Sequence, residues 1–306
     1  MKTAATHVLS FAIRSCRGFC RVWNEAVRME VAGSGGSMLP TRRQLQWLLA
    51  TPAAAMLAFF LVFRLTDLDL LISGLFYDAR TGEWPSGDAR LWSWLYEYGC
   101  VPATVVGVGG AFVGLACLMC RALRGHAGCG LFLTAVLAVG PGLLVNLTLK
   151  PYVGRPRPRE VTQFGGERAF VPVGQAAVGS GRSDSLSNSS FPSGHASMGF
   201  YLMAPAALLY RKRRRAALAF LAAGAAFGGL IGVARVIQGA HFASDVIGSL
   251  LFVYLSIVVT RLAFDLIGEA WHLALLRREE RTPGPEAAVL PFPAAEPLET
   301  EARLAA

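Results

Sequence analysis

His241 and Asp245 stand four residues apart in "ARVIQGAHFASD", behind Arg235. A carboxylate bonded to one imidazole nitrogen fixes the tautomer and leaves the other nitrogen as a nucleophile. If the chain is helical there, the pair shares one helix face. In "SSFPSGHASM", Pro192 precedes Ser193, Gly194 and His195. These residues read as a helix start, where free N–H groups and the dipole favour an anion. Gly194 admits close backbone approach, Ser193 adds a hydroxyl, and His195 can exchange a proton near neutral pH. In "KPYVGRPRP", Lys150 is followed by Arg157 and Pro158. Arginine suits bidentate contact with phosphate, and lysine supplies a compact charge. Each stretch also has a plain reading: basic lipid anchors, a Ser/Pro helix start, and a capping aspartate beside a surface histidine.

The elements that must position them are apolar. The 306-residue chain is 54% hydrophobic and 16% charged, with a mean hydropathy of +0.45. Runs near the length that crosses a bilayer recur. They predict spans at about 46–66, 97–120, 127–149, 195–210, 216–235 and 245–264, the fourth of them short. The expected fold is all-α, a six-span transmembrane bundle. Alanine- and glycine-rich stretches such as "AAGAAFGGLIG" predict close helix packing in lipid.

Loop charge sets the expected orientation. "RALRGH" (121–126) and "RKRRR" (211–215) are short and basic, so they read as cytoplasmic. The stretch from Asp67 to Glu97 holds six acids against two arginines and reads as external, with "LDLLISGLFY" as an interfacial segment. Both termini then lie inside, and the three reactive stretches gather at the outer edge of the bundle. Residues 150–194 carry Lys150, Arg155, Arg157, Arg159, Arg168 and Arg182 in that external position, which calls for an anionic ligand. Together the stretches supply three cations, a helix N-terminus, a histidine backed by an aspartate, and a second histidine. That is an inventory for phosphoryl transfer through a phosphohistidine.

The flanks read differently. Residues 1–45 are a basic tail interrupted by "AGSGGS", without a secretory leader pattern; Met38 offers a second start just before the membrane pattern. Residues 265–306, rich in Pro, Ala and Glu, read as a cytoplasmic tail, mostly disordered. "GSGRSDSLSNSS" (179–190) reads as a flexible connector, and "FGGERAFVPVGQ" (164–175) as a headgroup-facing loop. The net charge of +9 is spread between spans, which argues against nucleic-acid binding. Cys16, Cys20, Cys100, Cys117, Cys120 and Cys129 show neither a disulfide framework nor a metal-ligand spacing.

The three stretches, K-x6-RP at Lys150–Pro158, PSGH at Pro192–His195, and R-x5-H-x3-D at Arg235–Asp245, resemble the signatures of the phosphatidic acid phosphatase type 2 superfamily in order and spacing. Ala234 stands where the third signature commonly has serine. The resemblance implies that Lys150, Arg157 and Arg235, with Ser193 and the Gly194 amide, hold phosphate oxygens. It implies His241 as nucleophile, Asp245 as its orienting carboxylate, and His195 as the proton donor to the leaving oxygen. No metal or cofactor is implied. The implied partners are the bilayer and a phosphorylated membrane lipid: a lipid A phosphate, phosphatidylglycerol phosphate, phosphatidate or undecaprenyl diphosphate. "GRPRP" and "FGG" look most like bacterial lipid A phosphatases, which implies an inner-membrane enzyme facing the periplasm; no oligomeric state is implied. A lipid phosphotransferase and a non-catalytic phospholipid-binding protein are the alternatives. A vanadium-dependent haloperoxidase shares the anion cradle but fits the apolar spans poorly.

Overall fold

The computed structural model describes residue 39 and residues 42–120, 126–175 and 189–281. Most of the expected basic tail, the 121–125 part of the first basic loop, nearly all of the 179–190 connector, and residues 282–306 lie outside the described residues. The described chain is helical; its β contacts are two isolated bridges, Asp78 with Glu83 and Val161 with Arg168.

The order is α1 (Arg42–Leu65), α2 (Leu68–Gly74), α3 (Arg90–Tyr98) and α4 (Val101–Met119). Next comes α5 (Ala127–Leu137), which runs through a wide π-type stretch, Ala138–Leu149, into α6 (Lys150–Val153). The chain closes with α7 (Gly194–Tyr201), α8 (Ala204–Leu209), α9 (Arg214–Ile237) and α10 (Ala243–Arg281).

Among the described residues, four helical stretches are long and apolar enough to cross a membrane: Arg90–Cys117, Ala127–Glu160, Arg214–Ile237 and Ala243–Ala274. Leu49–Leu65 is a shorter apolar helix. The expected span at 195–210 is two short helices, broken at Leu202 and Met203. Helix α10 continues to Arg281, well past the boundary expected at 264, so the first part of the expected tail is helical. "WHLALLRREER" contains no glycine or proline to stop a helix, which the tail's overall composition obscured.

The core joins Phe132 and Val136 of α5, Phe200 and Tyr201 of α7, and Val253 and Ile257 of α10. The Tyr201 hydroxyl donates to the Leu133 carbonyl at 3.0 Å. Backbones approach closely where α7 crosses α9: a Cβ on Gly199 would sit 2.6 Å from the Gly228 Cα. Large apolar side chains such as Leu57, Leu61, Phe112, Leu115 and Leu147 face outward. An outward apolar belt over a small-residue interior is what lipid-facing helices require.

Candidate active site

The three reactive stretches come together at one end of this bundle. Lys150 is the first residue of α6; the helix stops at Gly154, whose φ of +62° suits glycine and reverses the chain. The Lys150 Nζ then reaches α7, lying 3.2 Å from where a Gly194 Cβ would be. Any larger residue at 194 would meet Lys150 and the Asn146 amide oxygen. Arg157 and Arg235 line a common cavity of about 530 Å³ with Tyr96, Arg159 and Gln238.

The second and third stretches are joined through the backbone. The Ser193 N–H donates to the Asp245 carbonyl at 3.1 Å, and the Ser249 hydroxyl donates to the carbonyls of both Ser193 (2.9 Å) and Asp245 (2.8 Å). Ser193 is the N-cap of α7; its Oγ accepts from the Ala196 N–H at 3.4 Å. The Gly239 carbonyl accepts from the Arg159 N–H at 3.0 Å, tying the first stretch to the third. Gly239 has φ +61° in the turn between α9 and α10, and its face is closed by the Trp84 ring.

His241 lies in that turn, two residues before α10, so it and Asp245 do not share a helix face as their spacing had suggested. They meet nonetheless: His241 Nδ1 is 3.5 Å from Asp245 Oδ2. That is the outer limit of a hydrogen bond, and Nδ1 has no closer acceptor. Pairs of this kind are commonly loose before substrate binds. The same Oδ2 accepts from the Phe242 N–H at 2.8 Å, the back-bond of a capping box. Asp245 therefore caps the helix and faces the histidine at once. His241 is 2% exposed, not a surface residue. Burial pushes its pKa down to about 4; Asp245 opposes that shift, while Arg235 and Arg157 add to it. The ring is neutral at pH 7, as a nucleophile must be.

Three side chains outside the expected set complete the site. Tyr96 of α3 stacks on His195, with centroids 4.9 Å apart, and carries the Arg235 guanidinium 4.3 Å above its ring. Arg235 also donates to Gln238 Oε1 at 2.5 Å. Arg155 is fully buried between Asp245 (2.6 Å) and Asp69 of α2 (2.7 Å). A lone acid in "LDLLISG" was the available signal for Asp69, since an acid in an apolar run seldom lacks a partner. Arg155 was one cation among six in its loop, and nothing local distinguished it. Among the described residues, no group of three or more His, Cys, Asp and Glu side chains could hold a metal ion. None of the described cysteines, Cys100, Cys117, Cys120 and Cys129, is in a disulfide.

An apolar helical bundle thus brings cations, a helix N-terminus and a neutral, carboxylate-backed histidine together at one end. Residues 129–268, which contain all three stretches, match the model of the PAP2 superfamily. That match covers 140 of the 306 residues. Over 125 residues it is 46% identical to a lipid A 4'-phosphatase of Francisella tularensis subsp. novicida (strain U112), covering 41% of this chain and 53% of that one. A lipid A 1-phosphatase of Rhizobium etli is 37% identical over 155 residues, 48% of this chain and 57% of the relative. A lipid A 4'-phosphatase of Rhizobium leguminosarum is 38% identical over 111 residues, 36% and 44% of the two chains. The chain spans about half the length of these curated relatives. No solved structure matches it.

Proposed function

We propose that this protein is an integral membrane lipid phosphatase that hydrolyses a phosphate monoester or diphosphate of a membrane lipid through a phosphohistidine, without a metal. The observation that carries the reading is the neutral His241, backed by Asp245, beside a cavity lined by Arg157 and Arg235. In this mechanism Lys150, Arg157, Arg235, Ser193 and the Gly194 amide hold the phosphate oxygens and offset charge as phosphorus becomes five-coordinate. The free nitrogen of His241 attacks phosphorus, and the phosphorus–oxygen ester bond breaks. His195, protonated once the phosphate's negative charge lies beside it, gives that proton to the leaving oxygen, then takes one from the water that cleaves the phosphorus–nitrogen bond. The relatives' names favour a lipid A phosphate as substrate.

We further propose six crossings. Helix α1 ends near the site, α4 leaves it, α5 returns, the α7–α8 pair leaves, α9 returns and α10 leaves. The basic run Arg211–Arg215 then lies at the far end. The positive-inside tendency makes that end cytoplasmic and turns the site toward the periplasm of a bacterial inner membrane. A lipid can enter such a site from the side, its tails still in the bilayer.

The test is phosphate release from lipid A and from phosphatidate in detergent micelles, with no acceptor alcohol and with EDTA present. Release that disappears in His241→Ala and His195→Ala supports the reading. Release only with an acceptor alcohol would make the protein a phosphotransferase. Lipid binding without turnover would make it a non-catalytic binder, and loss of activity with EDTA would sink the metal-free scheme.

A further inference from the structure

Behind Asp245 lies a second layer of charge. The Arg155 guanidinium is fully buried, and four of its contacts are short. Nη1 donates to Asp245 Oδ1 at 2.6 Å and to Ser244 Oγ at 2.7 Å. Nη2 donates to Asp69 Oδ2 at 2.7 Å, and Nε to the Val171 carbonyl at 2.8 Å. Its plane lies 4.3 Å from the Phe242 ring centre and 5.5 Å from that of Phe170. Asp69, 1% exposed, closes the cluster by accepting from the Ser244 N–H at 2.9 Å and hydroxyl at 2.5 Å. Asp69 lies outside the stretch that matches the PAP2 superfamily.

Two carboxylates in one apolar pocket would ordinarily share a proton, because like charges so close cannot both ionise. The Arg155 guanidinium offsets this, because its fork donates to both acids at once. Asp245 keeps its charge, and its other oxygen stays aimed at His241. With both carboxylates ionised the cluster of Asp69, Arg155 and Asp245 carries one net negative charge; burial raises the Asp69 pKa, and Arg155 opposes that shift. The imidazole becomes cationic when its free nitrogen bonds phosphorus while Nδ1 keeps its proton, and the pocket is then neutral. Breaking a buried charge cluster on one side also leaves its partner uncompensated.

We infer that Arg155 and Asp69 are positioning residues for the reaction: they hold Asp245 ionised and oriented, so that it supports the charge arising on His241 during phosphoryl transfer. The inference rests on the phosphatase reading above. Neither residue is in the phosphate-holding set, so their effect belongs to the chemical step and not to substrate capture. Helix α2 thereby becomes part of the active site, although it contributes nothing to the phosphate cradle.

The experiment measures kcat and KM for phosphate release from lipid A in detergent micelles for wild type, Asp69→Asn, Arg155→Gln, Arg155→Lys and Ser244→Ala. Each is also placed on an Asp245→Asn background. Asp69→Asn and Arg155→Gln are expected to lower kcat about 10- to 100-fold with little change in KM, the usual range for groups that orient a functional side chain. Arg155→Lys keeps the charge but loses the fork, and should recover only part of the loss. On the Asp245→Asn background the same substitutions should cost almost nothing further, which a merely structural role would not produce. If Asp69→Asn or Arg155→Gln fails to fold, Ser244→Ala removes only the bridging hydroxyl and should give a several-fold kcat loss, again silent without the Asp245 charge. A raised KM at unchanged kcat, losses that multiply with Asp245→Asn, or wild-type kcat in Asp69→Asn and Ser244→Ala would each overturn the inference. An inactive wild type would instead overturn the phosphatase reading, and the inference with it.

Discussion

The bundle holds a buried ion cluster near each end, and they are near mirror images in charge. At the site, one arginine sits between two carboxylates: Arg155 with Asp69 and Asp245, all at most 1% exposed. At the far end, one carboxylate sits between two arginines: Asp265 is 2.6 Å from Arg261 and 3.4 Å from Arg211. The far cluster borders an apolar cavity of about 440 Å³, lined by residues such as Met203, Leu218, Leu221, Ile257 and Val258. The site cavity is polar, walled by Arg157, Arg159, Arg235, Tyr96 and Gln238. Buried charge is thus common to both ends. What separates them is a neutral histidine against the carboxylate, and three arginines, with Glu83 and Asp88, lining an open polar space. A membrane bundle tolerates paired charge for structural reasons, so an ion pair alone does not mark an active site.

The largest effect that can break this contrast is chemical. His241→Ala should lower phosphate release on the order of a million-fold, the scale of removing a catalytic nucleophile, and a phosphate-release assay at saturating lipid checks it. At the far end, Asp265→Asn should leave kcat within about 2-fold while costing stability of roughly 3 kcal/mol, because two arginines lose their carboxylate. Thermal unfolding in detergent measures the second quantity beside the first. A large kcat loss there would mean the two ends are coupled.

Within the site, Arg157→Gln and Arg235→Gln should each lower kcat about 100- to 1,000-fold, the usual consequence of losing one transition-state oxyanion contact. The pH dependence sharpens the comparison further. With its pKa near 4, His241 remains neutral as pH falls from 7 to 5, so the acid limb of kcat/KM due to this group should lie near pH 4 and not near 6.5. The linkage has the same sign. The unfolded chain binds this proton from about pH 6.5 downward and the folded chain only near 4, so folding stability should fall across that window. The smallest effect is expected at Tyr96→Leu, which removes the stack under Arg235 and His195 but no hydrogen bond to phosphate. A several-fold loss in kcat/KM, measured on the same lipid, corresponds to one partly exposed cation–π contact of about 0.5–1 kcal/mol with its positioning role added.

Much was legible from residue type and spacing. Lys150, Arg157, Ser193, Gly194, His195, Arg235, His241 and Asp245 stand at intervals that are informative because each stretch flanks an apolar run. Apolar periods and turn residues are local properties, so the helical class and most helix positions followed from them. The local readings failed where packing or continuity prevailed. The 195–210 run is broken into α7 and α8, and α10 runs past 264 because no proline stops it before Arg281 and the single Gly268 is tolerated within it. His241 and Asp245 meet across a turn and cap, not along a helix face.

Residue identity and order alone determined that this chain folds as apolar helices with a phosphate-type inventory on the connecting segments; those follow from transfer free energy and side-chain chemistry, which act one residue at a time. Only the tertiary structure decided that Asp69, 176 residues before Asp245, joins it through Arg155, and that Tyr96 lies against both His195 and Arg235. Such contacts depend on which helix ends share a level in the bundle. That is a global property of packing, and no local pattern of residues encodes it.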